Sequence, residues 1–243
     1  MSSPKERLRV EIAQLLIENR ADIHVRDKKH STPLHLVSYH GKIETMRLLV
    51  KHGADVTARD GSQRTPLHRL VHGYPCDRLV DTEVASSVVR LLVAHGADVN
   101  ACDENQRTPL HEALLHRTCL EILFDIVLLL LELGADVNAY DGNHRTPLHE
   151  ISCEISSQRR PKADVVRLLL EHGANVNVCD GNHRTPLHEM SSQTNASVVR
   201  LLLERGADRD VEDDEGRTPY QIALSSEYHD IAQSLSDYRA CKE

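Results

Sequence analysis

Sixteen histidines in 243 residues raise the question of metal or acid–base chemistry. Five of them, His35, His68, His111, His149 and His188, close the tetrapeptide Thr-Pro-Leu-His, which returns at intervals of 33 to 43 residues. A zinc ion needs its ligands about 2 Å from one centre, whereas side chains that recur once per packed layer stand roughly 10 Å apart. The five therefore cannot share an ion. The stretch "HEALLH" at 111–116 resembles a zinc-protease motif, but that motif puts its histidines four apart on one helix face. His111 and His116 are five apart and diverge. A column of carboxylates, Asp60, Asp103, Asp141, Asp180 and Asp213, sits among turn residues, where Asp bonds local backbone. Without a phosphate loop, nucleophile elbow or paired carboxylates beside them, these residues read as non-enzymatic: no catalytic residue, cofactor or metal is expected.

The histidines make better sense as structure. Thr-Pro is a helix start, with Thr as N-cap and Pro at the first helical position. Leu follows as the first buried residue. His then occupies the third position, from which Glu or Gln bonds back to the cap in a capping box. After Thr218-Pro219-Tyr220 the same position holds Gln221.

The tetrapeptide starts at Thr32, Thr65, Thr108, Thr146 and Thr185, with the variant at Thr218. Gly-Ala-(Asp/Asn) starts at Gly53, Gly96, Gly134, Gly173 and Gly206, always 12 residues before the next Thr. From Thr to Gly the distances are 21, 31, 26, 27 and 21, so only this half accepts insertions. The insertions are expected as loops around 73–86, 116–125 and 153–164. Segments such as "ASVVRLLLERG" are apolar at helical spacing, expose Arg on the other side and end on Gly, as a left-handed cap does. The fixed link, "GADVNAYDGNHR" for example, reads as a tight extended finger. The decapeptide "DGNHRTPLHE", present at 141–150 and again at 180–189, is one such unit duplicated.

The totals agree with thin repeats. Aromatic residues make up 3 % of the chain, with no Trp, so Leu, Val and Ala must fill the interior. A formal charge of −8 argues against nucleic acid, whose binders carry a basic stripe. The longest apolar run, "IVLLLL", is too short to cross a bilayer, and the amino terminus shows no signal-peptide pattern. The six cysteines form no CxxC pair and are expected as free thiols in a reducing, intracellular compartment, cytoplasmic or nuclear.

The pattern D-G-x-T-P-L-H…V-V-x-L-L-L-x-x-G-A-D-V-N-A resembles the ankyrin repeat over roughly residues 7–238. The resemblance implies an all-α ankyrin-repeat solenoid of stacked helix pairs with projecting hairpin-like fingers. The expected divisions are an incomplete unit at 1–26 holding a second helix only, full units at 27–59, 60–102, 103–140, 141–179 and 180–212, and a capping unit at 213–243. Arg20 stands where other units have their terminal Gly. The family's usual Gly two residues before Thr survives only as Gly216, replaced elsewhere by His30, Gln63, Gln106, His144 and His183. Glycine stands earlier instead, at Gly61, Gly142 and Gly181.

The implied function is a monomeric module that binds a protein partner in the groove of finger tips and first helices. The alternative is an architectural spacer, or part of a longer array, positioning other domains. The candidate contacts are the finger column Arg64, Arg107, Arg145, Arg184 and Arg217, with His144 and His183 beside it and Glu112, Glu150 and Glu189 at the helix starts. The bland counterpart is a ladder in which each Arg bonds an Asp or Glu of a neighbouring unit. Leu128 and Leu133 replace the Arg and His of other second helices and are either covered or part of a contact patch. In the family the Asn of "ADVN" can be hydroxylated; Asn100, Asn138 and Asn177 match it, with support of the finger backbone as their plainer role.

Overall fold

The computed structural model describes residues 4–72, 82–115, 120–151, 162–192 and 196–240. Two layers of helices run through it. The first-helix layer comprises α2 (Pro33–Tyr39), α4 (Pro66–His72), α6 (Pro109–Leu115), a 3-10 turn (Pro147–Glu150), α9 (Pro186–Ser191) and α11 (Pro219–Ser225). The second comprises α1 (Pro4–Glu18), α3 (Ile43–Lys51), α5 (Thr82–Ala94), α7 (Leu120–Glu132), α8 (Lys162–Glu171), α10 (Ala196–Glu204) and α12 (His229–Ala240). Each helix packs against its counterpart in the next unit, and no strand occurs among the described residues. The fold is an all-helical solenoid of stacked pairs.

The sequence marks explain each element. Thr-Pro begins every first helix, and the tetrapeptide leucines Leu34, Leu67, Leu110, Leu148 and Leu187 are all at 0 % exposure. They meet the valine and leucine face of the second helices, so one apolar cluster continues from Leu34 to Leu235 without a break between units. The arginines of the second helices, Arg47, Arg90, Arg167 and Arg200, lie on the exposed or partly exposed side. Gly96 shows why the helix ends where it does: at φ +96 its N–H turns back to Val93 O while Ala97 N–H reaches Leu92 O. Arg20 adopts the same turn at φ 63, with Ala21 N–H on Leu16 O. An L-residue there costs about 1–2 kcal/mol.

Two expectations need correction. The second helices of the inserted units start earlier than the apolar spacing suggested, so residues 82–86, 120–125 and 162–164 are helical, not loop. Each extension contains good helix formers, among them Glu83 and Ala85, Leu120, Glu121 and Leu123, and Lys162 and Ala163, and no Gly or Pro interrupts it. The remaining parts of the insertions, and His116, lie outside the described residues. The first helix of the fourth full unit is only a 3-10 turn, with Ile151 leaving it in extended conformation at ψ 92.

The displaced finger glycines also have a physical reason. Left-handed φ values of 54–59 are kept two residues before Thr by His30, Gln63, Gln106, His144 and His183, so that conformation did not move. Glycine gives the closest approach one step after the Asp, where fingers touch. The N–H of Gly61, Gly142 and Gly181 donates at 2.8 Å to the carbonyl of Lys29, Asn105 and Asn143 in the preceding finger. A Cβ on Gly61 would lie 2.9 Å from that carbonyl oxygen. Where Glu104 and Asp214 carry a side chain at this step, the same bond is 3.0 and 3.2 Å.

Candidate functional site

The fingers are built by their Asp residues. In each, Asp Oδ1 accepts two backbone N–H groups: those of Ser62 and Arg64 on Asp60, and of Asn143 and Arg145 on Asp141, at 2.8–3.0 Å. Burial alone would raise the Asp60 carboxyl, but hydrogen bonds from Arg69 and from the Arg64 and Ser62 N–H groups outweigh it and hold it below the usual range. The carboxylate column is thus turn scaffolding.

The tetrapeptide histidines tie units together. In the third full unit, Thr108 N–H donates to His111 Nδ1 at 3.3 Å, and His111 Nε2 donates to Arg145 O in the next finger at 3.1 Å. An amide N–H can only donate and a carbonyl only accept, so the proton sits on Nε2 and the ring is neutral. His35, His68, His149 and His188 repeat this bridge onto Arg64, Arg107, Arg184 and Arg217 carbonyls. Burial lowers the pKa of all five, though the carbonyl bond opposes it. Among the described residues no group of His, Cys, Asp and Glu could hold a metal ion.

The "ADVN" asparagines clamp as well. Asn138 Nδ2 donates to Gly173 O at 3.0 Å while its Oδ1 accepts Asn175 N–H at 2.9 Å, across one unit boundary. Asn100 and Asn177 do the same to Gly134 with Asp136, and to Gly206 with Asp208. Both polar ends of each amide are engaged.

The arginine column lies between fingers and first helices, and its members differ. Arg64 reaches into the next unit, with Nε 3.3 Å from Asp103 and Nη2 2.7 Å from Glu112, whose carboxylate is buried. Arg145 holds Glu150 at 3.0 Å, Glu189 of the next unit at 3.1 Å, and the His149 carbonyl at 2.9 Å. Burial disfavours its charge, but Glu150 and Glu189 outweigh that and strengthen protonation. Arg217 forks onto Asp213 of its own turn at 3.1 and 2.9 Å. Arg107 only approaches Asp141 at 3.6 Å, and Arg184 holds Glu189 at 3.1 Å through one terminal nitrogen. Both keep a buried Nε with no hydrogen-bond partner, as does Asp141 Oδ2.

His144 and His183 stand exposed at the finger tips, His144 edge-on to exposed Tyr140 and His183 3.1 Å from Asp214. Leu128 and Leu133 are half-buried against the common core. They lie on the second-helix layer and are not brought together with the arginine column.

On this face, the position four residues after Thr entered the sequence reading only where it holds Glu, and the position seven residues after Thr did not enter it at all. The two positions hold Leu36 and Tyr39 in α2, Arg69 and His72 in α4, and Glu112 and Leu115 in α6. Arg69 pairs with Asp60, His72 with Glu112 at 2.9 Å, and Tyr39 lies 5.9 Å from the His72 ring. Aligning the units column by column carries the signal, since Leu36 stands where the next four units have Arg69, Glu112, Glu150 and Glu189, and Tyr39 stands where α4 has His72.

No helix among the described residues is long and apolar enough to cross a membrane. A search of curated proteins finds none that matches. Among solved structures, the ankyrin repeat domain of Bcl-3, a member of the IkappaB family, superposes with TM-score 0.69 at 27 % identity, covering 97 % of this chain and 98 % of that one. The ankyrin repeat domain of human ASB11 gives TM-score 0.76 at 22 % identity, covering 98 % of each. A family model described as ankyrin repeats (3 copies) matches residues 5–84, 81–141, 123–213 and 155–243. Phase-locked Thr-Pro-Leu-His starts, glycine stops, stacked helix pairs and this match agree along nearly the whole length: the chain belongs to the ankyrin-repeat family.

Proposed function

We propose that this chain is a protein-interaction module whose partner lies along the face shared by the fingers and the first helices. Domains of this family generally mediate protein–protein interactions. The observation that supports this particular face is the unequal pairing of the arginine column. Arg64 and Arg145 are spent on the ladder, fixing neighbouring units and the carboxylates Glu112, Glu150 and Glu189. Arg107 and Arg184 each keep a buried Nε with no hydrogen-bond partner, and Arg217 is 41 % exposed. A guanidinium has five donors in a fixed fork, and arginine is a preferred anchor at interfaces. A partner segment presenting carboxylate or carbonyl oxygens at repeat spacing would pair with the accessible part of the Arg107 and Arg184 side chains, 22 % and 25 % exposed, with His144 and His183 at its edge. The half-buried Leu128 and Leu133 belong to the opposite layer and serve as packing in this reading.

Affinity capture with the whole chain, read by mass spectrometry, tests it. A stoichiometric partner is expected, and Arg107→Ala with Arg184→Ala should weaken its capture about tenfold while melting temperature changes little. Arg145→Ala should lower the melting temperature. A chain that captures no partner would instead favour the architectural spacer.

A further inference from the structure

We propose that the amino-terminal end of this face holds a specificity pocket for an acidic partner segment carrying one large apolar side chain. The inference rests on the reading of the face as partner-binding and says where its selectivity lies. A cleft of about 620 Å³ opens between the first finger and helices α2 and α4. Leu36 and Tyr39 face it at 46 % and 42 % exposure. Among the described residues, α2 is the one first helix with two exposed apolar side chains at these two positions; α4 carries the paired Arg69 and His72 there, and α6 the buried Glu112 with the half-buried Leu115. The floor thus offers apolar surface where α4 carries ion-paired side chains, with His72 packed beside Tyr39.

The rim sets the partner's charge. The chain carries −8 overall, yet the finger at 26–30 reads Arg-Asp-Lys-Lys-His. Its one acid, Asp27, is committed to the turn through the Lys29 and Ser31 N–H groups. Arg69, at the far wall, is neutralised by Asp60. Lys28 and Lys29 are exposed at the mouth and leave a local positive field on an otherwise acidic molecule. An acidic segment is repelled by most of this surface and attracted here, so charge gives orientation while Leu36 and Tyr39 seat the apolar side chain. A segment in extended conformation fits, because the cleft runs between a finger and a helix face.

The test uses the full chain and a phage-displayed library of random peptides about twelve residues long. Selected peptides should share one large apolar residue flanked by Asp or Glu. Fluorescence polarisation of a selected peptide should show affinity falling with salt and weakening about tenfold with Lys28→Glu plus Lys29→Glu, and again with Tyr39→Ala. The lysine variant changes exposed side chains only and so separates lost binding from lost folding. Selected peptides without this consensus, or indifferent to both variants, overturn the pocket while leaving the wider face as a binding surface. Recovery of no peptide also overturns the pocket, whereas the wider reading stands or falls on capture of a partner. A single-stranded oligodeoxynucleotide that displaces the peptide at equal concentration overturns the assignment to a protein segment.

Discussion

Replacing His111 by Ala and by Gln separates two bonds that one ring makes. The His111 ring is fully buried, takes the Thr108 N–H at 3.3 Å and gives Nε2–H to the Arg145 carbonyl at 3.1 Å. Ala removes both bonds and leaves two backbone groups unsatisfied, each costing about 1–3 kcal/mol when buried. With the cavity left by the ring, the expected loss is about 4 kcal/mol. Gln is already tested by the chain itself: Gln221 Oε1 accepts the Thr218 N–H at 2.8 Å. It is shorter than His and cannot also reach the next finger, so His111→Gln should keep the cap, lose the bridge and cost about half as much. Urea unfolding followed at 222 nm measures both. In a repeat array the lost bridge weakens an interface between neighbours, so His111→Ala is also expected to split the transition or broaden it. If Gln proves as costly as Ala, the cap does not act alone; if Gln costs nothing, the bridge to the next unit is not stabilising.

Acid should loosen the whole array. The five bridging histidines have pKa values lowered by burial, so the unfolded chain binds more protons below about 6.5, and stability is complete above that value and lost as pH falls toward the depressed native values. Each contributes up to about 1.4 kcal/mol per pH unit; a urea midpoint unchanged between pH 7 and pH 5 contradicts the neutral bridge. Hydrogen exchange is expected to open α1 before residues 165–206, because Leu8, Ile12, Leu15 and Leu16 remain 49–57 % exposed and Arg20 holds a left-handed turn; equal protection in the two regions contradicts this. Gly61→Ala should destabilise by about 1 kcal/mol, since its Cβ meets the Lys29 carbonyl at 2.9 Å and the contact outweighs the entropy gained from a stiffer unfolded chain. A neutral or stabilising result in thermal melting shows that the finger yields freely.

The periodic marks made the helix pairs, their starts and their stops legible, because each rests on local chemistry. Thr-Pro presets a helix start whatever surrounds it, and the buried leucine beside it needs only a neighbour of the same kind. The capping role of the histidine ring could be read from Gln221, but its second bond could not, since the Arg145 carbonyl lies 34 residues away and backbone carbonyls leave no trace in a sequence. Gly142 was visible as a displaced glycine, yet its cause is contact with the finger of the preceding unit. The arginine column was readable as a column, while its division into fully and partly hydrogen-bonded members depends on distances of a few tenths of an ångström. Leu36 and Tyr39 went unremarked because a lone apolar residue on a short helix resembles core until its exposure is measured.

Hydroxyl-radical footprinting of the chain with its captured partner tests the central claim most directly, because oxidisable side chains report on both layers. His144 and His183 mark the finger tips, and Leu36 and Tyr39 the first-helix face, whereas His52, His95 and His172 sit exposed at the ends of second helices. A partner on the proposed face should protect the first four and leave the last three unchanged. Protection of His52, His95 and His172 with His144 and His183 still oxidised would place the partner on the second-helix layer and contradict the account.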